Sequence, residues 1–362
     1  MNDIKNLVKR YEDLLGIKLY LVGGSVRDHI LNLPHADLDF ATPAKPDEIE
    51  AAIRKIGKRP FVTGKRFGTL AFKYPKTTFE NSHEPSTSNH ELIEITTFRK
   101  ETYGSTRKPE VTFVDDIVQD LSRRDFTVNA IAVDSKGKII DPFSGYSDIS
   151  AGVIRFVGNP TLRINEDSLR MLRACRLSAQ FQFVPTTETK EKIRESAEKI
   201  LRISHERWTS ELDKMLMSKF PHRGLDALAQ TELLRFILPE IWIQYHYDQN
   251  SPYHGLSLFE HTKKTVQLTK EDLHLRWAAL LHDVGKPFAR KDKTVRKGLF
   301  QGWAKDTQSN YPHHDEIGAE FVDKIGHYLK WSNDRIASVK DLVLKHLELG
   351  KSPLQHADSA AR

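Results

Sequence analysis

The chain has 362 residues, 39% apolar and 29% charged, which supports packed cores, predicts two or three domains and excludes a collagen-like or wholly disordered polymer. Its 55 Lys and Arg against 49 Asp and Glu leave a net charge of +6, which permits a polyanionic partner without requiring one. The one cysteine, Cys175, excludes a disulfide framework or a cysteine-rich metal centre; no run approaches the roughly 18 apolar residues of a membrane span and the polar start is no signal peptide, so a cytoplasmic protein with no membrane partner is expected.

Residues 1–150 read as mixed α/β. The apolar run 18–22 predicts a buried strand closed by Gly23 and Gly24, after which Ser25 opens an amphipathic helix through residue 31. A short strand over 35–40 and a helix over 46–56 follow. Residues 66–74 and 91–98 alternate as strands, separated by a Ser-, Thr-, Asn- and Pro-rich loop over 75–90. A second loop, over 99–109, carries Arg99, Lys100, Arg107 and Lys108. Beyond about residue 150 the strand signals stop. Helical periods run over 166–180, 187–201, 205–219 and 225–237, a linker spans 241–255, and a second helical set begins near residue 256. The expected domains are 1–150, 151–245 and 246–362.

Asp37 and Asp39 flank Leu38 on a predicted strand, and a period of two puts both carboxylates on one face. Such a pair repels unless a cation lies between, and hard Mg²⁺, bound by carboxylates and substrate phosphates, suits it. Just upstream, Gly23, Gly24 and Ser25 lead from strand to helix. Glycines let backbone N–H groups approach a polyphosphate, and the helix N-terminus adds partial positive charge. Arg27 can reach the same anion, while Asp28 suits the orientation of a neighbour better than a metal. Glu94, an acid in an apolar strand, is either a third metal-site carboxylate or half of a structural ion pair, because an unpaired charge there is costly.

The segments LVGGSVRD, DLDF, RRDFTVNAIAVD, DPFSG and EDSLRMLRACR, in this order over about residues 17–240, resemble the class II tRNA nucleotidyltransferases, the CCA-adding enzymes, and the bacterial poly(A) polymerases that share their head and neck. The resemblance implies an α+β fold: a polymerase-β-like nucleotidyltransferase head with a mixed sheet, an all-helical neck and a helical HD domain. It implies that Gly23, Gly24, Ser25 and Arg27 contact the nucleoside triphosphate. Asp37 and Asp39 would bind Mg²⁺ and, with Glu94, be catalytic. Arg124, paired with Asp125, would meet the nucleotide, and Asn129 would support the ribose region. On their own, Arg123, Arg124 and Asp125 read as a surface ion-pair cluster.

Asp167 and Arg170 are three apart on the predicted helix over 166–180, hence neighbours on one face. A carboxylate accepts from an exocyclic amine and a guanidinium donates to ring acceptors, which complements the pairing edge of cytosine or adenine and rejects guanine and uracil. By itself Asp-x-x-Arg is an ordinary helix ion pair. The resemblance assigns it to base reading, with Arg173 and Arg176 also near the nucleotide. Leu169, Leu172, Cys175 and Ala179 fall on another sector, expected to face the neck core. The implied chemistry is attack of an RNA 3′-hydroxyl on the α-phosphate of CTP or ATP with loss of pyrophosphate, the change from C to A being driven by the loop over 99–109.

His261, then His282 and Asp283, then His313 and His314 follow the order of an HD domain, with LLHDVGKP the telling segment. The resemblance makes His261, His282, Asp283 and His314 metal ligands, with His346 a weaker candidate. Imidazole and carboxylate suit Mn²⁺, Ni²⁺, Fe or Mg²⁺ better than a closed zinc site. Lys286 either positions a phosphate or caps a helix.

The function expected is template-independent addition of C, C and A to tRNA, with an additional HD phosphohydrolase activity, by a monomer or homodimer. A poly(A) polymerase is the nearest alternative. A metal-dependent hydrolase that merely binds RNA is another.

Overall fold

The computed structural model describes residues 2–34, 37–75, 90–102, 110–249, 256–296 and 305–349. It divides into two compact units, Met1–Asp167 and Ser168–Arg362.

The first unit opens with α1 (Asn2–Leu15), β1 (Tyr20–Val22), α2 (Gly24–Ile30), β2 (Asp37–Thr42), α3 (Pro46–Lys55), β3 (Thr69–Pro75) and β4 (His90–Thr97). Next come β5 (Arg99–Thr102), β6 (Glu110–Phe113), α4 (Ile117–Ser122), β7 (Ala132–Asp134) and β8 (Ile139–Ile140). It ends with α5 (Gly145–Ala151), β9 (Val153–Ile154) and α6 (Pro160–Glu166). Six strands form a mixed sheet of order β3-β4-β2-β1-β7-β8. Within it β2 and β4 run parallel and every other pair is antiparallel. Leu38, Phe40, Leu70, Phe72, Ile93 and Ile95 are fully buried, and α3 packs on β3 and β4. Asp37, Asp39 and Glu94 alternate with these apolar residues and so take the other face.

Helix α1 lies outside the expected elements, although Ile4, Leu7, Val8, Tyr11 and Leu15 repeat at helical spacing and all are buried. Each such side chain contributes about 1.5–3 kcal/mol on burial, and Tyr11 donates to buried Glu91 at 2.6 Å. The expected loop over 99–109 begins instead as a hairpin: β5 pairs antiparallel with β6 in the register Arg99↔Phe113 to Thr102↔Glu110. A strand made of charged and polar residues has no apolar alternation to announce it. Residues 103–109, and 76–89 of the expected 75–90 loop, lie outside the described residues.

The second unit is mainly helical: α7 (Leu169–Phe181), β10 (Val184–Pro185), α8 (Thr187–Ser196), α9 (His205–Leu216), α10 (Pro221–Gln230), α11 (Leu233–Ile237) and α12 (Pro239–Tyr245). Then follow α13 (Leu258–Leu268), α14 (Leu273–Leu281), α15 (Lys286–Ala289), β11 (Lys291–Arg296), β12 (Lys305–Asn310), α16 (His314–Tyr328), α17 (Asn333–Leu344) and α18 (His346–Leu349). The expected linker over 241–255 starts inside α12, and residues 250–255 lie outside the described residues. Strand signals do not stop at 150: β11 and β12 form an antiparallel hairpin from Lys291↔Asn310 to Arg296↔Lys305. Its polar composition hides it from a hydrophobic-periodicity search.

The neck and HD segments share this unit's packing. Buried Trp277 donates to Asp213 at 2.7 Å, and Arg335 grips the same carboxylate at 2.9 and 2.6 Å, tying α9 to α14 and α17. Buried Arg276 donates to the carbonyls of Leu216 and Ser218, satisfying the end of α9. Cys175 is buried, and burial pushes its thiol up to about 12, so it is inert packing. No described helix is long and apolar enough to cross a membrane.

Candidate active sites

The first site is built on the β1–α2 turn and the adjacent parallel strands β2 and β4. Gly23 adopts φ +68°, a region that penalises any side chain, and a Cβ there would lie 2.6 Å from Arg124 Nη1. Gly23→Ala is therefore expected to cost about 1–3 kcal/mol of stability in urea unfolding; a variant as stable as the parent would contradict this account of the turn.

Ser25 is buried, and its hydroxyl accepts from the backbone N–H of Asp39 at 2.9 Å and donates to the carbonyl of Asp37 at 3.3 Å. It stitches α2 to the strand segment bearing both aspartates. In the parallel register Asp39 stands directly opposite Glu94, so the third acid arrives beside the first two. Burial, then mutual repulsion with Asp39, raises the Glu94 carboxyl above its ordinary range. Burial likewise raises Asp39, opposed by the Arg124 guanidinium and reinforced by Asp37. Asp39 and Glu94, each raised by burial and by its acidic neighbours, form a facing pair that a divalent cation would stabilise.

Arg27 is buried in a polar clamp. Its Nε and Nη2 donate to Asp28 Oδ1 at 2.9 and 2.7 Å, and its Nη1 donates to Asn129 Oδ1 at 2.5 Å. Asn129 in turn donates to Asp125 Oδ1 at 3.0 Å. Asp28 thus orients Arg27, and Asp125 and Asn129 support the same guanidinium from behind. Arg124 donates to the Asn129 carbonyl and to Asp120, each at 3.4 Å. Asp120, missed by the sequence reading, is a buried acid just before the double arginine.

The premise that Asp167 and Arg170 share one helical face fails. Helix α6 stops at Glu166, Asp167 is extended at φ −148° and ψ 104°, and α7 starts at Leu169. Ser168, before α7, is at φ −64° and ψ −15° and its side chain makes no cap hydrogen bond, so no capping signal marks the break. Arg170 is buried and Arg173 half-buried. Arg176 donates to Glu211 at 2.6 Å and Gln180 at 2.9 Å.

The second site gathers His261 of α13, His282 and Asp283 at the end of α14, His314 at the start of α16 and His346 at the start of α18. Two groups share one carboxylate: His261, His282 and Asp283, and Asp283, His314 and His346. Within each group the ligand atoms lie within 4.8 Å of one another, and these are the sole such clusters among the described residues. The backbone sets the imidazole tautomers. Nδ1 of His282, His314 and His346 faces the carbonyls of Ala279, Tyr311 and Val343 at 2.8, 2.7 and 2.6 Å. With each Nδ1 turned to a carbonyl, each Nε2 points into the cluster. The result is His261 Nε2 at 3.1 Å from His282 Nε2, and His314 Nε2 at 3.2 Å from His346 Nε2. Ring nitrogens at these distances, grouped around one carboxylate, fit a shared cation.

Asp283 Oδ2 lies 3.0 Å from His282 Nε2 and 2.8 Å from Lys286 Nζ, yet it is buried without an aligned hydrogen bond. Burial opposes its ionisation, but His282 and Lys286 outweigh this and hold the carboxyl well below the usual carboxylate range. Burial, then the neighbouring His282, lowers His346 to about 4, leaving it neutral and ligand-ready at pH 7. His313 is exposed and faces Glu316 at 3.2 Å, outside the cluster. The glycine of LLHDVGKP is required by packing, because a Cβ on Gly285 would lie 2.1 Å from the His314 carbonyl.

Comparison with known proteins adds independent information. Residues 19–155 match the poly A polymerase head domain, 182–244 the probable RNA- and SrmB-binding site of polymerase A, and 258–360 the HD domain. The chain is 36% identical over 300 residues to the CCA-adding enzyme of Geobacillus thermodenitrificans (strain NG80-2), covering 80% of this chain and 66% of that enzyme. The chain belongs to the class II tRNA nucleotidyltransferase and poly(A) polymerase family.

Within this nucleotidyltransferase family, the CCA-adding enzyme of Ligilactobacillus salivarius (strain UCC118) is 41% identical over 223 residues, 61% of this chain and 51% of that enzyme. The chain thus spans about half the length of several curated relatives it matches. The crystal structure of the Bacillus stearothermophilus CCA-adding enzyme in complex with CTP superposes with a TM-score of 0.60 at 26% identity, covering 97% of this chain and 78% of that one. The mixed-sheet head, helical remainder and HD domain expected from the sequence are those of this nucleotidyltransferase family.

Proposed function

We propose that the chain adds C, C and A to the 3′ end of tRNA from CTP and ATP with release of pyrophosphate, and that its HD site hydrolyses a small phosphoester. The observation that carries the first half is the parallel pairing that sets Glu94 against Asp39 beside Asp37, with Arg124 over the Gly23 turn. The working division is a head over 1–150, a neck over 151–245 and an HD domain over 246–362.

Mg²⁺ held by Asp37 and Asp39 would supply Lewis-acid stabilisation of the reacting phosphate oxygens. The chain's own groups do the rest. Gly23 and Gly24 let the triphosphate approach the backbone, and Ser25 keeps the two aspartates in register. Arg27, clamped by Asp28 and Asn129, and Arg124 donate to phosphate oxygens, which gain charge as the 3′-hydroxyl attacks and pyrophosphate leaves. Asp167 and Arg170, which do not share a helix, stay the proposed base readers on the family resemblance alone, a carboxylate and a guanidinium selecting cytosine and adenine over guanine and uracil. In the HD site, Mn²⁺, Ni²⁺ or Mg²⁺ is the fitting ion, and buried Lys286 balances the Asp283 charge at 2.8 Å.

Purified chain incubated with tRNA lacking its CCA end, Mg²⁺ and single labelled nucleotides is expected to add C first and A only afterwards. Efficient addition of A without prior C would replace the proposal with poly(A) synthesis.

A further inference from the structure

Asp120 stands on α4 with 0% of its surface exposed. A carboxylate so buried is costly unless its oxygens meet cations or donors. Its Oδ1 accepts from Arg123 Nε at 3.0 Å, Arg123 Nη2 at 2.8 Å and the backbone N–H of Arg99 at 3.3 Å. Its Oδ2 accepts from Arg124 Nη2 at 3.4 Å. Burial opposes ionisation, but Arg123 and then Arg124 outweigh it and hold the carboxyl below its ordinary range.

The partners of Asp120 differ in what else holds them. Arg123 also pairs with Glu101 at 2.9 Å. Arg99 pairs with Glu101 at 3.0 Å and donates to the carbonyl of Phe67. Arg124 has no other acid: among the described residues Asp120 is its one ionic partner. Its Nε is buried without a hydrogen bond, and its remaining contact is the 3.4 Å bond to the Asn129 carbonyl. The guanidinium therefore keeps donors in reserve while lying against Gly23 and within the field of Asp39.

We propose that Asp120 is a positioning residue for nucleotide use: it holds the Arg124 guanidinium against the Gly23 turn with donors left for the triphosphate, and it ties that placement to the root of the β5–β6 hairpin through Arg123 and Arg99. The inference rests on the nucleotidyl-transfer reading of this site. Neutralising Asp120 leaves Arg123 and Arg99 their Glu101 contacts but removes the one ion-pair partner that Arg124 has among the described residues. The consequence falls on the nucleotide rather than on the tRNA.

A double-mutant cycle tests this. Asp120→Asn keeps the shape and removes the charge. Its dissociation constant for CTP with Mg²⁺, measured by isothermal titration calorimetry on the full chain, is expected to rise roughly tenfold, the worth of one charge-assisted hydrogen bond. The KM for tRNA lacking its CCA end is expected to change by less than about twofold. Adding Asp120→Asn to Arg124→Ala should cost no further CTP affinity, because the first acts through the second. Asp120→Glu, which keeps the charge, should recover part of the loss.

CTP binding unchanged in Asp120→Asn, or losses that multiply in the double variant, would overturn the proposal. If thermal melting shows Asp120→Asn unfolded, the cycle is read with Asp120→Glu by the same criterion. A parent chain that binds CTP yet extends no tRNA would overturn the nucleotidyl-transfer reading while leaving the coupling measurable in the titration.

Discussion

Asp39→Asn is expected to reduce nucleotide incorporation into tRNA about a thousandfold, the scale on which one preorganised electrostatic group at a reacting phosphate is lost. Asp39 sits between Asp37 on its own strand and Glu94 on the next, so it is central to any ion the three acids hold. The same change should not weaken the fold. Burial raises the Asp39 and Glu94 carboxyls, so the folded chain binds these protons more tightly than the unfolded one. Without divalent cation, stability then falls as pH climbs from the ordinary carboxylate range through the raised values. The amide removes one such group, and Asp39→Asn in chelator is expected to melt at or above the parent temperature at pH 7. Incorporation within tenfold of the parent would exclude Asp39 from the reaction, and a lower melting temperature would show that its charge supports the fold.

Asp283→Asn is expected to abolish Mn²⁺ retention at the HD site, read as bound metal per chain after gel filtration, together with hydrolysis of small phosphoesters. Nucleotide incorporation should remain within about twofold, because the variant leaves Asp37, Asp39 and Glu94 untouched. The effect is large because one carboxylate belongs to both ligand groups. It also has a structural component: Lys286 is buried 2.8 Å from Asp283 Oδ2, and neutralising one partner of such a pair costs about 3–5 kcal/mol. His282→Ala separates the two effects, since it removes a ligand nitrogen while the Asp283–Lys286 pair stays. Metal loss in both variants with a stability loss in Asp283→Asn alone is the expected pattern. Loss of nucleotide addition in His282→Ala would show that the two activities are not independent.

What the sequence carried about these sites was local. Asp37 and Asp39 share a strand face because successive side chains alternate, and Gly23 marks a backbone turn that tolerates no Cβ. His282 and Asp283 adjoin at the end of an apolar helix. Where local pattern was weak or ambiguous, expectation and structure part. The helix drawn through Asp167 is broken there, with one extended residue between α6 and α7 and no side-chain cap to announce it. Strand β5 and the hairpin β11–β12 consist almost entirely of charged and polar residues, so backbone pairing rather than apolar alternation defines them.

The class of protein, the two candidate sites and most of their residues are thus properties of short contiguous segments, whose chemistry is set by residue type and near spacing. The tertiary structure decided what distant segments do to one another. Parallel pairing of β2 with β4 makes Glu94 the neighbour of Asp39 across more than fifty residues of chain. Burial turns Asp120 from one more surface acid into the anchor of Arg124. His346 reaches Asp283 from the far end of α17, and backbone carbonyls fix the tautomers of His282, His314 and His346. Such contacts arise from how the core packs and which charges it encloses, and no periodicity along the chain encodes them.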